Sequence, residues 1–342
     1  MIALAVTFAL LSALCAIVFV LAPDAMPMSV RHKAFHLLRR FTSQRQRERL
    51  KARIFQARHA AEPLLKKWHG TFGNDELEAA LREKMPDNFE ILMVHSSISH
   101  LQPMYQGGAR SLLELMLRIA GPERTLAMPA FFFGTPELFD LAYYRKYSRF
   151  DVRRTPSQMG LVTELFRRTP GVTRSLHPTH SICALGPLAN ELCATHHLSP
   201  WRFGELSPFG IMARRKTTII GLGVYYYRSL TQVHSMEDIL GERFPVPRAD
   251  EDPVQVEIID KTGKAIRYEI ARPLSRDYVL KAERLSEFVP AGEVVEWSLK
   301  GTNLYVAEAE KVNAAVKHAA LRGHSLYEYL PGLKFKPQWQ TS

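Results

Sequence analysis

Cysteine is scarce: 3 residues in a chain of 342. Cys15, Cys183 and Cys193 make no Cys-x-x-Cys pair, so neither a disulfide framework nor a thiolate metal site is on offer. Clustered histidine ligands are missing too. His177 and His180 are near neighbours, but Pro178 between them argues against one helix face presenting both to zinc. There is no internal repeat. Gly221-Leu-Gly223 has no third glycine and no acidic residue at the right distance beyond it. That excludes a dinucleotide fingerprint and leaves a tight turn. No Lys or Arg precedes the apolar stretch at the N-terminus, that stretch is long for a signal h-region, and no small-x-small site follows it. These absences argue against a cleaved secretory signal.

The first thing present is that apolar stretch. Residues 2–22 carry no charge, and a helix of that length spans roughly 30 Å, one bilayer core. From Arg31 to Lys67 there are 12 Lys/Arg against Glu48 and Glu62, which is nearly all of the chain's formal +11. Basic residues beside a span stay on the cytoplasmic side. The expectation is a single-pass anchor (1–23) in a bacterial-type inner membrane, a basic juxtamembrane helical linker (24–70), and a cytoplasmic catalytic domain (71–342). The linker's arginines would meet anionic lipid headgroups or form a solvated helix face. The remainder is near neutral and has no basic platform interleaved with aromatics, which excludes nucleic acid as partner.

In the body, short apolar runs alternate with helical patterns. Phe89–Val94, Thr125–Pro129, Ile182–Leu185 and Thr217–Gly223 read as strands. Ala109–Ala120 carries Leu112, Leu113, Met116 and Ile119 at helical spacing and stops at Gly121-Pro122. Gly160–Arg168 and Pro187–Ala194 read as further helices. Strand, loop and helix in repetition predict the α/β class. Val254–Ile259 and Ala265–Ile270 flank a Lys261-Thr-Gly-Lys264 turn and predict a β-hairpin region toward the C-terminus. Glu308–Ala320 predicts a closing helix.

Several polar blocks fall at loops after the strand-like runs, where an open α/β sheet places its ligands. They are Val94-His-Ser-Ser-Ile-Ser99, Gly107-Gly-Ala109, Phe150-Asp151 leading to Thr155-Pro-Ser-Gln-Met-Gly160, Arg174-Ser-Leu-His-Pro-Thr-His-Ser-Ile-Cys-Ala-Leu-Gly186, Thr195-His-His-Leu198, Gly204-Glu-Leu-Ser-Pro208 and Val233-His-Ser-Met-Glu237. In order and spacing they resemble the aminoglycoside 3-N-acetyltransferase family over residues 71–325. The resemblance implies a layered α/β/α domain with a central mixed sheet, unlike the GNAT fold. It also implies acetyl-CoA as co-substrate, no metal, and a small-molecule amine or amino sugar as acceptor.

Acyl transfer from a thioester to an amine needs a hold on the cofactor, a base for the ammonium proton and donors for the thioester oxygen. His95, Ser96 and Ser97 can offer side-chain and backbone donors to the cofactor, and Gly108 opens a helix whose N–H groups can add to them; capping and turn roles are the alternative. For the base, the residues alone leave His177, His180, His196, His197 and His234 open. The resemblance selects His196 as catalytic, with Glu237 as its carboxylate partner and His234 at the substrate. It makes Ser175 and His177 lining residues of the cofactor channel, and it gives His180 no required role. One departure concerns the acceptor. Where resistance enzymes carry an acid, this chain has Phe133, with Glu137 the nearest carboxylate. Polycationic antibiotics favour acidic clefts. The anchor and the missing acid together point to an amine on an amino sugar or a cell-envelope glycan precursor. The alternatives are an aminoglycoside-modifying resistance enzyme and a catalytically silent membrane-tethered scaffold.

Overall fold

The computed structural model describes residues 59–135, 137–281 and 284–330, with Arg49, Arg53, Gln56 and Ala57. In chain order the strands are β1 (Ile91–Ser96), β2 (Thr125–Pro129), β3 (Arg149–Asp151), β4 (Thr173–Arg174), β5 (Ile182–Leu185) and β6 (Thr217–Leu222). They continue with β7 (Val254–Ile259), β8 (Ala265–Ile270), β9 (Tyr278–Leu280), β10 (Val294–Leu299), β11 (Thr302–Glu308) and β12 (Tyr327–Tyr329). The main sheet has seven strands in the order β10-β11-β6-β1-β2-β5-β4. β1 runs parallel to β2 and β6, whereas β11 and β5 are antiparallel to their neighbours. The sheet is therefore mixed, as expected.

Strand periodicity explains the layers. On β1, Ile91 and Met93 enter one core and Leu92 and Val94 the other, because successive side chains point to opposite faces. The first core is closed by helix Ala309–Leu321 through Val312 and Val316. The second is closed by helices Ala109–Ala120 and Leu161–Arg167 through Leu112, Met116 and Phe166. Leu65, in helix Glu62–His69, is buried in that second core, so packing of the domain begins before residue 71. On β6, a Cβ at Gly221 would overlap the Tyr305 ring. Only glycine lets the β11 tyrosine ring cross the centre of the sheet.

The predicted hairpin forms as β7 and β8, and β3 pairs in parallel with β7 to make a three-stranded sheet over its own small core. The antiparallel pair β10–β11, which extends the main sheet, and the β9–β12 pair were not foreseen. The single-pass inner-membrane location does not stand: among the described residues no helix is long and apolar enough to cross a membrane. Residues 2–22, on which that expectation rests, lie outside the described residues.

Candidate active site

A cleft of about 1500 Å³ opens at the C-terminal ends of β1 and β2 and the loop after β6, lined there by His95, Ser96, Ser97, Pro129 and Val224. This is the end of an open α/β sheet at which loops diverge and ligands fit. His95 is buried in its wall, and burial pushes its imidazole down to about 4. The Ser97 hydroxyl lies 2.7 Å from His100 Nδ1.

His234 and Glu237 come from one segment, where a 3₁₀ turn, Thr231–His234, runs into helix Ser235–Ile239. Spacing of i and i+3 puts both side chains on one face, and His234 Nδ1 sits 2.5 Å from Glu237 Oε1. The segment is fixed from beneath. Ser235 Oγ is 2.5 Å from Asn313 Oδ1, and Gln232 Nε2 donates to the Phe209 carbonyl at 2.9 Å. Asp238, next along, accepts from the Phe203 amide at 2.8 Å and from Arg248 Nη2 at 2.6 Å. That holds the Phe203 ring flat against His234, 5.2 Å between centroids. Burial alone would lower the proton affinity of His234, but the Glu237 carboxylate outweighs it and the ring's pKa is raised above the ordinary value. Both residues line the cleft. With Nδ1 engaged by the carboxylate, Nε2 is the nitrogen left for chemistry.

His180 also lines the cleft, its ring 4.9 Å from Phe203, 4.8 Å from Phe131 and 5.3 Å from Phe133. Its Nδ1 is 2.7 Å from the Thr179 hydroxyl. Burial, then the charge of Arg202, drives its pKa well below the ordinary range, so it is neutral.

His196 is placed differently from the sequence expectation. It is fully buried and does not line the cleft. Its Nε2 donates to the Arg202 carbonyl at 3.0 Å and its Nδ1 accepts from the Ser175 hydroxyl at 3.0 Å. Both ring nitrogens are consumed, and burial pushes the pKa down to about 3. His177 stacks on it at 4.5 Å and accepts the amides of Thr179 and His180 on Nδ1. Ser175, His177 and His196 thus form a buried brace that shapes the Thr179–His180 turn and the Arg202 loop. Gly108 caps helix Ala109–Ala120 away from the cleft, and Glu137 is exposed outside it. Phe133 is in the wall, stacked on Phe139 at 5.1 Å.

The structure therefore brings together Glu237, His234, His95, Ser96, Ser97 and Phe133, and leaves out His196, Ser175, His177, Gly108 and Glu137. It adds His180, Phe203 and Tyr327. The i, i+3 spacing of His234 and Glu237 was a usable sequence signal for their pairing. Among the described residues no group of three or more His, Cys, Asp or Glu could hold a metal ion.

A family model described as aminoglycoside 3-N-acetyltransferase matches residues 93–319, two thirds of the chain. The chain belongs to the aminoglycoside 3-N-acetyltransferase family. Among its relatives is the SPbeta prophage-derived aminoglycoside N(3')-acetyltransferase-like protein YokD of Bacillus subtilis (strain 168), 31% identical over 39% of this chain and 53% of its own length. Aminoglycoside N(3)-acetyltransferase III of Salmonella sp is 29% identical over 48% of this chain and 61% of its own. The chain thus spans between half and two thirds of the length of these curated relatives. A solved structure of AAC-IIIb in binary complex with CoASH aligns with TM-score 0.58 and 21% identity, covering 74% of this chain and 96% of that one. At that identity the likeness within the aminoglycoside 3-N-acetyltransferase family is one of fold.

Proposed function

We propose that the chain is a CoA-dependent N-acetyltransferase acting on a primary amine. The observation that carries this reading is the His234–Glu237 pair at the sheet's ligand-binding end, with its unengaged Nε2 in a cleft of about 1500 Å³. That space suits a large cofactor and an acceptor together. Ser96, Ser97 and the turn after β1 would hold part of the cofactor, by the resemblance of that loop and its place in the wall. Bound acetyl-CoA supplies the thioester as acyl donor.

In this mechanism the acceptor arrives as an ammonium and gives its proton to His234 Nε2. Glu237 stabilises the resulting imidazolium. The freed amine attacks the thioester carbonyl carbon, forming a C–N bond. The C–S bond breaks, the attacking nitrogen gives up its second proton to the departing thiolate, and an amide and CoA thiol remain, while the imidazolium of His234 releases its proton to solvent. His180 is neutral and faces the same space, which suits it to orient the acceptor without adding charge.

For the acceptor, an amine on an amino sugar is the reading supported by the walls. Asp140 is paired with Arg202 at 3.2 Å, and Glu251 with both Arg145 at 2.8 Å and Arg276 at 3.2 Å. Those carboxylates are neutralised within the cleft and offer a polycation little net attraction. The stacked Phe133–Phe139 pair offers an apolar face for a sugar ring. Cell-envelope glycan precursors are amines of this kind. The second reading, an aminoglycoside acceptor, is favoured by the family match over residues 93–319. The test is release of CoA thiol from acetyl-CoA with a panel of monomeric amino sugars, glycan precursors and aminoglycosides. Release with none of these amines would sink the enzyme reading and favour a silent scaffold.

A further inference from the structure

The C-terminal strand β12 reaches the base pair. Tyr327, its first residue, places its hydroxyl 2.5 Å from Glu237 Oε1 and 3.3 Å from His234 Nδ1. A phenol O–H and an imidazole N–H converge on one carboxylate oxygen. The strand is pinned in this position at several points. Tyr327 pairs with Leu280 and Tyr329 with Tyr278. The Lys281 amide donates to the Leu326 carbonyl at 2.6 Å, and the Leu330 amide to the Asp277 carbonyl at 2.8 Å. Lys281 pairs with Glu328 at 3.2 Å. Phe244 meets the Tyr327 ring edge-on at 6.3 Å. Tyr278, on the strand β9 that β12 pairs with, and Asp277, just before it, line the same cleft.

We infer that Tyr327 is a positioning residue: its hydroxyl holds Glu237 in place and sets how strongly that carboxylate retains a proton on His234. This rests on the reading of His234–Glu237 as the base pair. Nothing in a Tyr at the end of the chain suggests such a role from sequence, and no part of the mechanism above uses it.

The Glu237 carboxylate shares its charge between two donors. Burial and then the nearby Glu237 carboxylate push the phenol well above its ordinary range, so it remains a neutral donor. Two donors on one oxygen divide its negative charge between them. Without the phenol, all of that charge faces the imidazole and the ring holds its proton more tightly. The carboxylate is also freed to change rotamer, which loosens the ring. The other charged or titratable groups around His234 are Asp238 on its own helix, Arg202 from the loop after His196–Leu198, and His180 from the loop before β5. Arg248, from the loop before β7, faces Tyr327 and pairs with Asp238. Tyr327→Phe alters none of them.

The experiment is Tyr327→Phe in the full-length protein, which keeps the ring and removes one hydroxyl. Three quantities are read: the His234 imidazole titration by NMR, the pH profile of kcat/KM for CoA release, and the melting temperature. The expected result is a His234 titration and an acid limb both moved up by about half a pH unit or more, kcat lower by roughly tenfold, and an unchanged KM for acetyl-CoA. The double variant Tyr327→Phe/Glu237→Gln should titrate like Glu237→Gln alone. An unmoved titration, with or without lost activity, overturns the inference, since loss of activity with lower melting temperature alone is a packing effect. A double variant that moves beyond Glu237→Gln overturns it too, because the hydroxyl would then act by another route. His234→Ala separates the two readings: retained turnover there removes the base assignment, while the NMR shift still reports whether Tyr327 acts on the pair.

Discussion

His234 Nδ1 and Glu237 Oε1 lie 2.5 Å apart across one turn of the same segment. Under the proposed function, this contact pairs Glu237 with His234. The carboxylate is bound to the imidazole three residues before it, not to His196. A carboxylate held this way fixes the tautomer and stabilises the cation that forms on proton uptake. The two residues should therefore fail together.

His234→Ala and Glu237→Gln are each expected to lower kcat by about 10²- to 10⁴-fold, the usual worth of a positioned base. The double variant should be no worse than the poorer single one, since both remove the same proton transfer. His196→Ala should behave otherwise. It strands the Ser175 hydroxyl and the Arg202 carbonyl inside the protein, at about 1–3 kcal/mol for each unsatisfied group. Its melting temperature should fall, with turnover per folded molecule far less affected. Steady-state CoA release together with thermal melts distinguishes the cases. A His196→Ala protein that melts normally but does not turn over would restore His196 as the base.

The pH profile follows from the sign of the His234 shift. If His234 is the base, as proposed, its neutral ring is the competent form, and Glu237 raises its proton affinity above the ordinary 6.5. Activity should therefore fall as pH drops through a value above 6.5, the ordinary histidine value. Glu237→Gln removes the stabilising charge, so the residual activity should keep its acid limb at lower pH. A limb below the ordinary histidine range in the unmodified protein would mean that a depressed imidazole, such as His180, is the titrating base. The measurement is kcat/KM from slightly acid to alkaline pH.

Stability should show the opposite group at work. His95 is pushed down to about 4 and His196 to about 3 by burial, and His177 and His180 are well below their ordinary value. A group whose folded pKa is depressed binds its proton better when unfolded. Its stabilising contribution is complete above about 6.5 and is lost as pH falls toward the folded values. His234 works the other way, losing its contribution as pH rises through its raised pKa. His197, half-buried, is also lowered by burial, so five histidines act against one and the melting temperature should drop steadily below about pH 6.5. His177→Phe or His196→Phe should flatten that drop even where they lower the melting temperature overall.

Much of this was legible in the residues. β1, β2, β5 and β6 announce themselves as short buried apolar runs, and Ala109–Ala120 is bracketed by glycines at both ends. These are local signals. The pairing of β11 with β6 is not local. It brings Tyr305 over Gly221, and neither residue's pattern names the other. The site divides the same way. Ser96 ends β1, Ser97 follows it and Phe133 lies in the loop after β2, and all three reach the cleft at the end of the sheet where loops diverge. What His196 can do depends on what its two nitrogens touch, and its own block does not say. Ser175 and the Arg202 carbonyl occupy them here, and both come from outside the His-His-Leu block. Tyr327 enters from a strand far along the chain and carried no signal at all.

Acetyl-CoA or CoA should raise the melting temperature by mass action on the folded state. Ser96 and Ser97 sit in the cleft wall at the end of β1, where hydroxyl and backbone donors suit a phosphate or a pantetheine amide. Ser96→Ala/Ser97→Ala should leave the melt of the unliganded protein nearly unchanged and reduce the ligand-induced rise, with a KM for acetyl-CoA higher by about tenfold for two lost hydrogen bonds. An undiminished rise would move the cofactor to another part of the cleft.

Aminoglycosides should be poor acceptors for the unmodified protein, and the reason lies at Phe133. Its ring is stacked on Phe139 and lies edge-on to His180, in the wall where resistance enzymes place an acid. Of the carboxylates in the cleft, Asp140 and Glu251 are held by arginines, and Glu137 is outside the wall. Asp250 and Asp277 line the cleft away from that pairing, so Asp250→Asn and Asp277→Asn are the controls for any aminoglycoside turnover the unmodified protein shows. A charge-assisted hydrogen bond to an ammonium is worth roughly 1.5–3 kcal/mol, or ten- to a hundredfold in binding. Phe133→Asp should therefore raise kcat/KM for aminoglycosides by about tenfold or more, while lowering it for a neutral-faced amino sugar that loses its stacking partner. A conservative Phe133→Leu should harm the sugar without helping the antibiotic. Competition assays with the two acceptor classes on all three proteins measure both changes. Efficient acetylation of aminoglycosides by the unmodified chain would show that a paired carboxylate, most directly Asp140 released from Arg202, serves the ammonium instead, and Asp140→Asn would then abolish it.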